Sequence, residues 1–336
     1  MVLYNPLVSI IMTTYNTNPE YLKESISSIL NQTYKEIEFI IVNDGTTSID
    51  PKKIIDEFDD ERIRYIDNKE NNGITKCLNI ALNNCNGKYI ARMDDDDIAV
   101  INRIEKQVEF FEGNSEVNIL GTNVKYFGTI NKILNVILPL DREQQQIRFI
   151  LGNYGIPHPS AMFRASFLKK YNIKYNEKYK KSQDYGMWVE CSKYSRIDCL
   201  PEVLLNYRVH TNQISTKNKE EQFYYDELIK IDQLKWMGMQ LSEKQIKTHL
   251  AFCRKDDNLN INETEKWIAI LIKFNNQKNI FNRKMFVTII KNHWIEICQK
   301  RLIKDKKIKY IFPLLKSINK DFLIEFSRRK IKNILE

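Results

Sequence analysis

The sequence predicts an α/β fold: a mostly parallel, Rossmann-like sheet flanked by helices, followed by an α-helical extension. Three observations predict it. Short apolar runs rich in β-branched residues alternate with segments of helical periodicity through the first hundred residues. From about residue 217 onward the pattern is helical and Lys-rich, with hardly any Gly or Pro. A hydrophobic content of 43% over 336 residues suffices for one large domain with an appendage, or for two domains. The expected division is therefore 1–216 and 217–336.

The elements follow in order. Residues 8–12, 39–42, 63–66 and 89–93 read as strands. Between them, 21–30, 51–58 and 74–82 carry apolar residues at helical spacing. Strand–helix alternation implies parallel strands covered on both faces, and such sheets bind ligands beyond the carboxyl ends of their strands. Polar residues fall at those ends: Thr13, Thr14, Tyr15 and Asn16, then Asn43, Asp44 and Gly45, then Asn71, Asn72 and Gly73, then Asp94, Asp95, Asp96 and Asp97. Taken singly, most are ordinary turn formers or helix caps. Four successive strand ends of this kind point to one crevice. Further on, a helix is expected over 102–111, a strand over 117–126, and a hairpin-like region over 128–140. A short strand should follow His158–Ser160, a helix should open near Asp184, and 197–210 should close the domain as a strand.

Four adjacent aspartates after a buried strand repel one another unless positive charge meets them. Carboxylate oxygens suit hard cations, so Mg²⁺ or Mn²⁺ is the expected cofactor. The alternative is a solvated acidic loop at the start of the next helix. Met93, the last residue of the apolar run, argues against it by placing the aspartates at a buried strand end. If the strand persists, Asp95 and Asp97 face away from Asp94 and Asp96.

No run approaches the roughly 20 apolar residues that cross a bilayer, and the start lacks the layout of a secretory signal. The expected location is the cytoplasm. Six cysteines without CxxC spacing indicate neither zinc nor a disulfide framework. Residues 301–336 hold eleven Lys/Arg against four Asp/Glu, interleaved with Leu, Ile and Phe. This basic amphipathic pattern fits packing on the main domain or attraction to an anionic membrane surface, in which case the protein is peripheral at the inner face of the plasma membrane. No nucleic acid is expected, because no nucleic-acid-binding motif accompanies the charge.

Residues 6–16, Val42-Asn-Asp-Gly-Thr46, Asn72-Gly73, Ala91-Arg-Met-Asp-Asp-Asp-Asp97 and Gln183-Asp184-Tyr185 together resemble glycosyltransferase family 2 in order and spacing. The similarity runs from about residue 2 to residue 215. The closing segment, 207–215, is similar to bacterial enzymes that extend lipooligosaccharide, O-antigen or capsule chains. Length and the basic helical tail resemble β-1,3-galactosyl- and N-acetylgalactosaminyltransferases. The resemblance implies a GT-A fold, a nucleotide-sugar donor (a UDP-linked hexose or N-acetylhexosamine), an oligosaccharide acceptor that is lipid-linked, and inversion at the anomeric carbon. It places Asp44 on the uracil ring, Thr13 and Tyr15 along the base, Asp94 near the ribose, and Asp96 on the metal with His210 completing its shell. Lys76 would approach the base or diphosphate, or simply be an exposed helix lysine. Asp95 stands where the family usually has a small residue and so should point away from the metal, and Asp97 should support the site or cap the helix. Asp184 is the implied base, with a helix N-cap as the alternative. His158 would touch acceptor or diphosphate, and Trp188 would offer the acceptor sugar a flat face; for each the alternative is a structural role. His249 and His293 fall in helical patterns and read as structural. Two competing functions, a sugar-phosphate nucleotidyltransferase and a non-catalytic nucleotide-sugar-binding module, fit less well. The first wants a glycine-rich loop after the first strand, and the second a degraded acidic site.

Overall fold

A computed structural model describes residues 5–48, 50–136, 138, 141–210, 219–303 and 310. The chain divides into two compact units, Met1–Phe149 with Asn153–Ile229, and Ile150–Gly152 with Lys230–Glu336.

In the first unit β1 (Val8–Thr14), α1 (Pro19–Leu30), β2 (Ile37–Asp44), α2 (Pro51–Asp56), β3 (Ile63–Asn68), α3 (Ile74–Asn83) and β4 (Tyr89–Arg92) alternate along the chain. They form a parallel array in the spatial order β3-β2-β1-β4, with Val8 opposite both Ile37 and Tyr89. All seven residues of β1 are buried, because helices cover both faces. Val8, Ile10 and Met12 pack with Ile26 and Ile29 of α1, while Ile11 packs with Leu78 and Ala81 of α3 on the opposite face. Apart from Ala81, each such side chain contributes about 1.5–3 kcal/mol by leaving water. Local chemistry sets the helix starts: Asn18 accepts from the Glu20 amide with Pro19 next in line, and Asp50 does the same for Lys52 with Pro51.

The second half of the sheet is mixed. It comprises β5 (Ile98–Ala99), β6 (Ile119–Gly128), β7 (Lys132–Leu134), β8 (Met162–Arg164) and β9 (Ile197–Val209). β8 runs antiparallel to both β4 and β6, which leaves parallel pairing to the first four strands and to β6 with β9. Helices α4 (Arg103–Gly113), α5 (Arg142–Leu151), α6 (Ala165–Lys170) and α7 (Gln183–Ser192) complete this part, with a single 3-10 turn at His158–Ser160. Two of these helices are absent from the sequence reading. α5 hides its buried Ile147, Phe149 and Leu151 behind the polar run Glu143-Gln-Gln-Gln, and α6 has only six residues. The acidic run also departs from expectation. β4 stops at Arg92 and residues 95 and 96 form a turn, so strand alternation does not govern the four aspartates.

α8 (Lys219–Trp236) contains the division between the units. α9 (Glu243–Arg254), α10 (Ile261–Lys278) and α11 (Arg283–Ile303) belong to the second. A capping box of Ser242 and Gln245 opens α9. His249 and His293 are buried there: His249 Nδ1 accepts from Trp267 Nε1 at 3.2 Å, and His293 Nε2 lies 3.0 Å from the Phe252 carbonyl. Among the described residues no helix is long and apolar enough to cross a membrane. Most of the basic 301–336 segment lies outside the described residues.

Candidate active site

The carboxyl ends of β1, β2 and β4 open on a cavity of about 970 Å³. It sits where the strand order reverses about β1, the place where open α/β sheets bind ligands. Thr13, Tyr15, Asp44, Gly73, Asp94, Asp95, Asp96, His158, Asp184 and His210 all line it. The strand ends singled out in the sequence thus meet in space.

At one end the turn from β3 to α3 is folded around Asp44. Its carboxylate accepts from the amides of Asn72 at 2.7 Å and Gly73 at 3.0 Å, and from Cys77 Sγ at 3.1 Å. Gly73 takes a φ of +85° with ψ 149°, an extended positive-φ conformation that is essentially confined to glycine and costs other residues about 1–3 kcal/mol. Burial and the Asp44 carboxylate push the Cys77 thiol up to about 12. Thr13 is buried, whereas Tyr15 is 46% exposed; both line the cavity. Asn16 fastens this loop to the next: its Oδ1 accepts from the Thr47 amide at 2.9 Å and the Ser48 amide at 3.1 Å. Lys76 is not brought to the cavity; it is exposed and donates to Asn72 Oδ1 at 2.7 Å.

At the centre, ligand atoms of Asp94, Asp96 and Asp97 lie within 4.8 Å of one another. Asp95 stands outside this trio, accepting from the Thr17 hydroxyl. Burial and the neighbouring Asp96 raise its carboxyl to about 7. Asp97 is fully buried; its Oδ1 accepts from the Arg208 amide at 2.8 Å, and its Oδ2 has no partner. Burial and the charges of Asp94 and Asp96 hold its carboxyl well above the usual range. An orphaned buried oxygen beside two further carboxylates is a donor set that fits a hard divalent cation. His210 Nε2 lies 3.0 Å from Asp96 Oδ2, so the imidazole faces the same cluster.

Cations sit behind the cluster. Arg92, 1% exposed, donates to Asp94 Oδ1. Arg103 is fully buried, donates to the Arg92 carbonyl at 2.8 Å, and is lowered to about 9 by burial. Arg208 ties the acidic turn to its surroundings: Nε donates to the Asp96 carbonyl at 2.7 Å and Nη2 to Glu24, with the guanidinium 4.1 Å from the Tyr21 ring. Sequence reasoning passed over all three arginines and the clustering of Asp97 with Asp94 and Asp96. A charged residue inside the apolar β4 run was the available signal for Arg92, since a buried charge needs a partner.

At the far side Asp184 occupies the first turn of α7, half-buried. Burial raises its carboxyl to about 6, against the lowering effect of the Tyr185 amide and Asn153. His158 Nε2 lies 2.7 Å from the Tyr175 hydroxyl, and burial, with Arg92 adding to it, keeps the ring neutral. Trp188 requires a correction. It is fully buried, stacked on Phe163 at 6.0 Å, and has no exposed face for a sugar. The apolar face of α7 turns the indole into the core, where it supports the cavity wall from behind.

A parallel half-sheet in the order β3-β2-β1-β4, followed by an acidic turn and extended by a mixed half, is the architecture of the GT-A fold. The family model for glycosyl transferase family 2 matches residues 9–171. An uncharacterized glycosyltransferase of Methanocaldococcus jannaschii is 38% identical over 226 residues, spanning 66% of this chain and 77% of the relative. One from Haemophilus influenzae is 36% identical over 233 residues, covering 65% and 70% respectively. The chain belongs to glycosyltransferase family 2. Among solved structures, S. aureus TarS in complex with UDP-GlcNAc aligns over 93% of this chain and 91% of its own, with a TM-score of 0.60 at 16% identity. A mannosyltransferase from Pyrobaculum calidifontis in complex with GDP-Man and Mn²⁺ aligns over 90% and 88%, with a TM-score of 0.51 at 13% identity.

Proposed function

We propose that this glycosyltransferase moves a hexose or N-acetylhexosamine from a UDP-linked donor to a hydroxyl of a glycan acceptor, with inversion and with Mn²⁺ or Mg²⁺. One observation carries the reading: Asp94 and Asp96 of the carboxylate cluster and a half-buried Asp184 line one cavity large enough for a nucleotide sugar, with Asp97 buried directly behind the cluster. Fold neighbours with UDP-GlcNAc, or with GDP-Man and Mn²⁺, support the donor class.

In this reading Asp44, already fixed by two backbone amides, accepts from the base while Tyr15 flanks it. Asp94, Asp96, Asp97 and His210 would hold a divalent ion, which when bound would supply positive charge to offset that developing on the departing diphosphate. Asp184 takes the proton of the acceptor hydroxyl. That oxygen bonds the anomeric carbon as the carbon–phosphate oxygen bond breaks on the opposite face, so configuration inverts. A carboxyl raised to about 6 is ionised at neutral pH yet more basic than an exposed aspartate, which suits this role. The first unit is then the catalytic part and the helical residues its extension. The resemblance of 207–215 to bacterial chain-extending enzymes supports surface polysaccharide synthesis on a lipid-linked acceptor at the cytoplasmic face of the membrane.

The donor class is tested by thermal stabilisation across a panel of nucleotide sugars, with Mn²⁺ and with EDTA. A ligand at 100 times its Kd stabilises by about 2.7 kcal/mol, which is readily seen as a raised Tm. A UDP-hexose should stabilise with Mn²⁺ and lose most of that effect in EDTA. Equal stabilisation in both, or none with any nucleotide sugar, contradicts the reading. Arg208→Met should weaken Mn²⁺ binding about 10–100-fold, as loss of groups that orient metal ligands does. Calorimetric titration of Mn²⁺ measures this, and an unchanged affinity would remove Arg208 from the account.

A further inference from the structure

Beneath the acceptor side of the cavity, three residues form a chain of support that ends on Asp184. Asn153 Nδ2 donates to Asp184 Oδ2 at 3.1 Å, the one side-chain hydrogen bond to that carboxylate among the described residues. Asn153 is in turn held by its own turn, where its Oδ1 accepts from the Gly155 amide at 3.3 Å. Gly155 has no alternative identity. A Cβ there would lie 2.2 Å from Trp188 Cδ1 and 2.6 Å from its Nε1, so the indole is packed directly against the backbone. The indole cannot yield, because it is fully buried and wedged between Phe163 at 6.0 Å and His158 at 6.0 Å. Both Asn153 and Gly155 line the cavity.

We propose that Asn153 is a positioning residue for the base: it holds Asp184 in one orientation toward the acceptor, and Trp188, through Gly155, fixes the turn that carries it. This rests on Asp184 being the base. It also gives Trp188 a part in the site that its burial otherwise denies it. An aspartate on the first turn of a helix can rotate about two side-chain bonds. Engaging Oδ2 from a rigid turn removes that freedom and directs the remaining lone pairs into the cavity. The bond also favours the ionised carboxylate, in opposition to burial and to the charge of Asp226 on α8; Lys181, just before α7, also lines the cavity.

The test is a ¹³C NMR titration of the Asp184 side-chain carboxyl in the full chain, assigned by its loss in Asp184→Asn. Asn153→Ala should move the midpoint up by about 0.5–1 unit, and Asn153→Asp, which replaces a donor by a second carboxylate, should move it further. Turnover of both variants should fall about tenfold or more while the donor KM stays within about twofold. Gly155→Ala, which disturbs the turn without touching Asp184, should give the Asn153→Ala midpoint shift in smaller measure. Unmoved midpoints in both Asn153 variants overturn the proposal, as does a rise in donor KM that accounts for the whole loss. The base assignment fails separately: if Asp184→Asn turns over normally, Asp184 is not the base, whatever the midpoints show.

Discussion

Asp96→Ala is expected to lower kcat/KM by about a thousandfold or more, equivalent to about 4 kcal/mol of lost transition-state stabilisation. In the proposed reading this carboxylate carries more of the donor site than any neighbour, because it belongs to the trio, faces His210 at 3.0 Å, and has its backbone carbonyl held by Arg208. Removing it would take from the ion the carboxylate that lines the cavity beside His210 and leave less negative charge to hold it. Asp95→Ala provides the contrast. Its side chain serves the Thr17 hydroxyl rather than the cluster, so the loss should stay within about tenfold. Mn²⁺ affinity, measured by calorimetry alongside turnover, should follow the same order. Equal losses at Asp95 and Asp96 would place the metal elsewhere.

Asp184→Asn is expected to remove about a thousandfold or more from kcat with little change in donor KM, since an amide cannot accept the hydroxyl proton. As the proposed base, the group must be ionised to act. With its carboxyl at about 6, kcat/KM should fall roughly tenfold per pH unit as the pH drops below that value. The same shift has an opposite consequence for stability. The folded carboxyl binds its proton more tightly than the unfolded one, whose ordinary value is 3.8, so the group costs stability as pH rises from 3.8 through about 6. At pH 7 the uncharged amide escapes that cost. Asp184→Asn should therefore gain about 1–3 kcal/mol in urea unfolding while losing activity. An inactive but destabilised variant would point to a structural aspartate.

β1, β2 and β4 are legible in the sequence because burial on both faces leaves them largely apolar, as in the wholly buried β1, while the edge strand β3 and the three helices show through their spacing between those runs. The mixed half of the sheet is less so. β8 has three residues and β5 two, too short for any periodicity, and α5 carries its apolar residues behind glutamines. The polar strand ends disclose where the cavity lies, but not how its parts are supported. Arg208 and Asp97 are 111 residues apart in the chain, and their contact is a product of β9 lying beside β5. Trp188 shows the converse limit. An aromatic four residues past a candidate base suits a sugar platform in sequence, and only the packing of α7 against Phe163 reveals that the ring is buried.

The central claim is that the acidic turn and Asp184 are separate halves of one transfer site, the first holding the donor and the second acting on the acceptor. Calorimetric titration of UDP in the presence of Mn²⁺ into the wild type, Asp96→Ala and Asp184→Asn tests it most directly. The account predicts that Asp184→Asn binds UDP within about twofold of the wild type, while Asp96→Ala binds at least about tenfold more weakly. Equal weakening in both variants, or full affinity in Asp96→Ala, would contradict it.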